Sequence, residues 1–293
     1  MSIPFYIRKR QIFAYVSLTP ALVILGLFVF FPLIQAFMTS LSSGLGINQR
    51  FVGFRIYGSI MTSFEFWNSL RATLFFSGGF VSITTTLGLA LAVLVNNKRV
   101  KFRNFFRACI FLPYMISMVV IALIWQYMLN ERFGIINYLL NLLGFKGLPW
   151  LRTPSLALFS LILIQAWALV GYNMMLILAG LQGIPDSYYE AGKIDGATVW
   201  QRLLYITVPL LLPTLSLAIL VSTVHGFTQS FVLVQVITHG GPLYSTDMLS
   251  YLIYRTAFDY FDLPRANAFA LIGLGILMII GIVQYKLEGR FRT

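Results

Sequence analysis

Nine carboxylates and two histidines are the whole acid–base stock of this 293-residue chain. The acids are Glu65, Glu131, Asp186, Glu190, Asp195, Asp247, Asp259, Asp262 and Glu288, and none lies inside a long apolar stretch. A proton relay at membrane depth needs ionisable groups there. Only His225 sits in such a stretch, with no acid beside it. Carbonyls and hydroxyls can hold sodium without carboxylates, so an ion-coupled carrier is weakened by this pattern and not removed. A phosphate cradle needs G-x-x-x-x-G-K-[ST]. Gly192-Lys193 is the nearest approach, but Ile194 follows and Ser187 occupies the first glycine position. Ser77-Gly78 and His225 are the serine–histidine candidates for a hydrolase within the apolar stretches, and no G-x-S-x-G is present. A serine alone in an apolar helix usually bonds the backbone one turn back. Cys109 is the single cysteine, which excludes an internal disulfide framework and a cysteine zinc cage. No catalytic, cofactor-binding or metal-ligating residue is therefore assigned. If ATP drives this protein, another subunit hydrolyses it.

The elements that would position any site are apolar. Hydrophobic residues make up 58% and charged residues 10%, against about 25% charge in soluble domains. The chain is an all-α polytopic membrane protein on this composition. A bilayer core of about 30 Å needs roughly 20 apolar residues of helix. Six stretches qualify: Ile12 to Ala36, Ala72 to Val95, Ala108 to Leu129, Ser155 to Leu181, Leu204 to Val236 and Ala266 to Tyr285. The fifth exceeds one crossing and must tilt or protrude. The first is too long for a cleaved leader, and no small-x-small site follows it, so it is expected to be retained.

The net charge of +12 would suggest nucleic acid in a soluble protein; here it reads as topology. Thirteen of the 21 cations fall on one side: Arg8, Lys9 and Arg10; Lys98, Arg99, Lys101, Arg103 and Arg107; Lys193 and Arg202; Lys286, Arg290 and Arg292. Arg50, Arg55, Arg71, Arg132, Lys146, Arg152, Arg255 and Arg265 are spread over the longer connections opposite. The positive-inside rule puts both termini in the cytoplasm, which six spans satisfy.

The cytoplasmic connection over residues 183–203 is unlike the others. Ser187 followed by Glu190 has capping-box spacing and starts a helix. Ala191 and Ile194 share a side of it. Asp195-Gly196 breaks it, because glycine tolerates a left-handed turn. A second helix puts Trp200, Leu203, Leu204 and Thr207 on one face and Arg202 opposite. Pro209 and Pro213 then kink the start of span five. Two readings stand, an interfacial helix lying on lipid and a docking element for another protein. Interfacial helices favour basic faces; this loop has only two cations, and Gly192 and Gly196 weaken a lipid-lying helix, which favours docking.

These residues carry a resemblance. Glu190-Ala191-Gly192, Gly196 and Val208-Pro209 resemble the "EAA" loop of ABC importer permeases. The wider pattern looks like the carbohydrate branch, which includes the maltose and glycerol-3-phosphate permeases: Ile184-Pro185, Tyr189-Glu190-Ala191, Ile194-Asp195-Gly196-Ala197 and Ile206-Thr207-Val208-Pro209-Leu210. Thr238-His239-Gly240-Gly241-Pro242 resembles that branch's T-x-G-G-P. Gly192 stands where alanine is usual and Val208 where leucine is commoner. The resemblance implies one permease domain over residues 1–293 with the type I ABC importer permease fold in the cytoplasmic (inner) membrane. It implies a coupling helix gripped by a partner ATPase through Tyr189, Glu190, Ala191, Gly192, Asp195, Gly196 and Ala197. Two ATP-binding-cassette subunits would bind the ATP and Mg, so the chain itself needs no cofactor. A second homologous permease, most simply in a heterodimer, and an extracytoplasmic solute-binding protein complete the set, with no nucleic acid. The stretches Phe37–Leu70 and Ile237–Arg265 would face that binding protein. Within the latter, Tyr251, Tyr254, Phe258, Tyr260 and Phe261 form either a docking patch or an aromatic belt.

The solute implied is a sugar, glycoside or polyol, with glycerol-3-phosphate as the alternative. Gln165, Trp167, Tyr172 and Asn173 in span four and Thr223, His225, Phe227, Gln229 and Ser230 in span five are the polar and aromatic candidates. Gln165 and Tyr172 are two turns apart on one face. In the maltose-type subunit that the chain resembles, residues aligned near Gln165, Tyr172, Thr223, Phe227, Gln229 and Ser230 line the sugar site. Polar groups in spans also bond helices to one another, so both roles stand. No arginine cluster lies within the spans, which favours a neutral solute.

Overall fold

The structure is a computed structural model that describes residues 5–44, 50–97 and 100–291. Lys98, Arg99 and Arg292 of the charge argument lie outside the described residues. The described residues are mostly helical. Helix α1 (Phe5–Leu25) runs through a π-helical turn, Gly26–Phe30, into α2 (Phe31–Ser40). A short antiparallel pair, β1 (Ser42–Ser43) and β2 (Arg50–Phe51), precedes α3 (Arg55–Met61). Then come α4 (Phe64–Asn96), α5 (Arg103–Met115), α6 (Met118–Met128), α7 (Ile135–Leu142) and α8 (Pro154–Gln182). The loop after α8 holds α9 (Asp186–Ile194) and α10 (Val199–Arg202). A π-helical stretch, Leu203–Thr207, joins α10 to α11 (Val208–Thr228), followed by α12 (Ser230–Leu233), α13 (Leu249–Tyr254) and α14 (Leu263–Phe291).

Contacts divide the chain into two compact units. One comprises residues 1–62 and 253–272. Within it the Ser40 and Tyr57 hydroxyls bond at 2.7 Å, and the Tyr254 and Phe258 rings lie 5.0 Å apart. Nothing in the apolar window of its long first helix is buried. Phe258, Tyr260 and Phe261 are exposed, as either a belt or a docking patch would require.

The other unit, residues 63–252 and 273–293, has α8 at its centre. Two-thirds of the apolar window of α8 is buried (67%), against about a quarter of that of α4 (28%). That asymmetry follows from its composition: Ala157, Ser160, Ala166, Ala168 and Gly171 keep it narrow enough for neighbours to close round it. Phe76 and Phe80 of α4, Ile121 of α6, Leu161 and Ile164 of α8, and Leu233 form one core. Ala92 and Val95 of α4, Met174 and Ile177 of α8, and Leu211 and Leu215 of α11 form the other. Tyr251 joins the first core, so it belongs to neither the belt nor the docking patch expected of it.

Among the described residues, five helices are long and apolar enough to cross a membrane, and their lengths exceed the expected stretches because polar end turns continue them. The expected third span is different. It is α5 and α6, bent through 94° at a break of two residues. Ile116 and Ser117 are extended (ψ 140° and 132°). Pro113 removes an amide donor from the last turn of α5, which weakens the helix just before the break. Fifth in order, the helix from Val199 to Thr238 spans 40 residues, so the loop before it and the crossing are one mechanical element.

Candidate functional site

The loop between α8 and α11 is an elbow. Helix α9 starts at Asp186 with no side-chain cap from Pro185, so the expected capping box at Ser187 and Glu190 does not start it. The capping box is found one helix later. Thr198 accepts from the Gln201 amide, and the Gln201 side chain accepts from the Thr198 amide at 2.8 Å. Between the two helices Gly196 has φ +76°. The amide of Ala197 donates to the carbonyl of Gly192 (2.8 Å) and that of Gly196 to the carbonyl of Lys193 (3.1 Å). This is the hydrogen-bond pattern of a Schellman stop, and it reverses the chain in one residue.

The elbow closes on itself through Gly192. This residue is buried, and a Cβ placed there would come within 2.8 Å of Ile206 Cδ1 and 3.5 Å of the Arg202 stem. Tyr189, half-buried, pairs its hydroxyl with that of Thr207 at 3.2 Å. Glu190, Ala191, Asp195 and Gly196 face outward, and Ala197 is half-buried. Around them Tyr188, Ile194, Val199, Trp200, Leu204 and Tyr205 stand exposed, Ile194 at 86% and Trp200 at 73%. Of the expected face, Thr207 is buried and Leu203 half-buried, while Trp200 and Leu204 are uncovered. The elbow thus presents apolar surface that no described part of its own unit covers, and surface of that kind marks a partner or a membrane.

The midplane candidates separate into groups. The break between α5 and α6 opens a cavity of about 440 Å³, lined by Pro113, Tyr114, Ile116, Met118, Ile121, Ala168, Leu169, Gln229 and Val232. Irregular backbone at membrane depth is tolerated where it lines such a space. From its edge a string of rings runs across three helices. Tyr114 lies 5.0 Å from Tyr172, and Tyr172 stacks on His225 at 6.3 Å. Asn173 and Ser222 exchange bonds of 2.9 and 3.3 Å between α8 and α11. Thr223 accepts from Gln284 at 3.2 Å, and the Ser230 and Ser250 hydroxyls lie 3.1 Å apart. These three candidates bond helices together in this conformation. Phe227 is buried, and Gln165 is fully buried with neither amide atom bonded to protein among the described residues. Trp167 packs on Trp125 at 5.7 Å. Sequence reasoning missed Tyr114 and the cavity. The available signal was a proline and a serine, Pro113 and Ser117, in the middle of an apolar run.

Residues 84–293 match the family described as binding-protein-dependent transport system inner membrane component. The chain belongs to that family. The trehalose/maltose transport system permease protein MalF of Thermococcus litoralis is 34% identical, over 95% of this chain and 94% of its own. The sn-glycerol-3-phosphate transport system permease protein UgpA of Agrobacterium fabrum is 30% identical, over 94% of each chain. A chain from the crystal structure of a bacterial alginate ABC transporter in complex with alginate pentasaccharide-bound periplasmic protein shares the fold. Its TM-score is 0.86 at 23% identity, covering 98% of this chain and 97% of that one. The chain is therefore a multi-pass inner-membrane permease component with the fold of a type I ABC importer permease. The family match begins inside α4 and takes in the break, the α8 core and the elbow.

Proposed function

We propose that this chain is one of two permease subunits of an ATP-driven importer, with both termini in the cytoplasm, and that its elbow is the handle for an ATPase subunit. The observation that carries this reading is the elbow itself. It has a glycine-closed interior, an exposed apolar and acidic exterior, and an unbroken helical path from Val199 into the crossing. A push on the elbow would be transmitted along that path, and the spans would rock as a body about a central site. The site residues on this loop would be Tyr189, Glu190, Ala191, Gly192, Asp195, Gly196 and Ala197. Gly192 and Tyr189 would hold the elbow's shape, and the others would meet the ATPase. ATP and Mg would be bound by two ATPase partners, since the chain lacks a phosphate loop. A related permease would complete a heterodimer, and an extracytoplasmic binding protein would deliver the solute. All 293 residues act here as one permease domain.

The solute we infer is an uncharged sugar, glycoside or polyol. No cation lines the cavity, and the rings of Tyr114, Tyr172 and His225 offer flat apolar faces with polar edges. Tyr172 and Gln229 would touch the solute at the cavity. Gln165, whose amide is unpartnered here, would meet it or a water after rocking. The Asn173, Thr223 and Ser230 contacts would exchange during the same movement, with Phe227 packing beside them. A glycerol-3-phosphate permease is the second reading, favoured by the likeness to UgpA and weakened by the cation-free cavity.

The test is reconstitution. The chain purified with its neighbours should bring down an ATPase and a second permease. Proteoliposomes containing them should take up a labelled sugar only with ATP and the binding protein. Uptake by this chain alone under an ion gradient, without ATP, would refute the reading. Tyr114→Ala should lower uptake while leaving the assembly intact.

A further inference from the structure

We propose that α7 and the turn after it form an interfacial lipid anchor, lying in the membrane–water boundary at the end of α8 opposite the elbow. The inference rests on the chain's spanning the bilayer and not on its solute or its ATPase; the proposed orientation only adds that the leaflet is the outer one.

Helix α7 has a fixed inner side and an uncovered apolar outer side. On the inner side Ile136 packs on the first core and Asn137 is buried. The Asn137 amide donates to the Glu131 and Leu148 carbonyls (3.2 and 3.0 Å), and its oxygen accepts from the Leu148 amide (3.0 Å) and the Trp150 indole (2.8 Å). Four bonds from one side chain set the rotation of the helix. The outer side then follows from helical spacing. Ile135, Tyr138, Leu139 and Leu142, at i, i+3, i+4 and i+7, are between 49% and 66% exposed. The helix stops at Gly144 (φ +82°), with the Phe145 amide bonded to the Leu140 carbonyl at 2.9 Å. That stop leaves Leu143 and Phe145 exposed beside the stripe.

The occupant is argued from continuity and charge. Helix α6 carries an exposed row of the same spacing, Val120, Leu123, Ile124 and Tyr127. That row passes into the α7 region through the Tyr127 and Phe133 rings, 6.3 Å apart. A stripe continuous with the outer surface of a crossing helix meets lipid where that helix does. No acid occurs between Arg132 and Arg152; Arg152 pairs with Glu131 at 3.0 Å, and Arg132 and Lys146 are the cations that flank the stripe. Tyrosine at the boundary and long cations reaching to headgroup phosphates are the composition of an interfacial helix.

The test uses the assembled transporter in liposomes, with Cys109→Ser as background and a bimane label on Tyr138→Cys, Leu142→Cys or Asn141→Cys. Labels on the first two should lose fluorescence to phosphatidylcholine carrying a doxyl group near its headgroup and keep it in aqueous iodide. The label at Asn141, on the flank, should respond to iodide. Quenching of all three by iodide alone would place the stripe in water. Protection of Tyr138→Cys and Leu142→Cys from both quenchers would place a protein over it. Either result overturns the anchor, and neither bears on whether the complex imports its solute.

Discussion

Gly196 offers the cleanest perturbation of the proposed handle, because conformation and crowding are separable there. Its φ is +76°, and a Cβ built on it meets nothing within 4 Å. Any cost of substitution is therefore backbone strain. An ordinary L-residue in the left-handed region costs roughly 1–2 kcal/mol, and asparagine visits it readily. A β-branched residue is the worst case there. If the elbow must hold this turn to be gripped, the strain lowers the fraction of chains that fit, and the apparent affinity falls with that fraction. A difference of about 1.4 kcal/mol is tenfold. Gly196→Val should thus weaken ATPase association about tenfold, Gly196→Ala somewhat less, and Gly196→Asn by no more than about threefold. The assay is titration of the purified ATPase against the permease pair in nanodiscs, with ATP-driven uptake as the second readout. The ranking carries the argument. If valine and asparagine behave alike, or valine matches the parent, the turn does not set docking and the reasoning fails.

Gly192→Val should act through crowding, since even the first added carbon meets Ile206 at 2.8 Å. Overpacking of this kind costs about 1–3 kcal/mol, and Ile206→Ala in the same chain should restore association by making room. Asn173→Leu removes a buried pair and leaves the Ser222 hydroxyl orphaned, at about 1–3 kcal/mol. Its check is the unfolding midpoint of the purified complex, which should fall, and Asn173→Leu with Ser222→Ala should recover part of the loss. Asn137→Ala deletes four bonds at once. Residues 130–150 should then exchange backbone deuterium faster, with the elbow's exchange unchanged.

Membrane class, span number and the existence of the elbow were legible from one-dimensional quantities. Apolar run length fixes a crossing because bilayer thickness fixes helix length, and glycine at position 196 announces a left-handed stop because few other residues tolerate it. The EAA-like spacing is equally local, which is why the sequence alone carries the resemblance to the family. The Ser187–Glu190 capping box was not a safe inference. The same local chemistry was available at Thr198 and Gln201, and only the path of the backbone selected the second pair.

What the tertiary structure alone decided is which side of each helix faces what. Asn173, Thr223 and Ser230 read equally well as solute ligands or as bonds between helices until their partners Ser222, Gln284 and Ser250 could be named. The resemblance sets Gly192 among the residues an ATPase would grip, whereas in the fold it is buried against Ile206 and the Arg202 stem. The third crossing looked like one apolar run, yet it bends through 94°. Hydropathy sums side chains along a segment and is blind to backbone direction, so a break lined by Tyr114 and Ile116 scores the same as a straight helix. Partners are set by residues far away in the chain, which no window of sequence contains, and a hydropathy sum does not register the break that Pro113 favours.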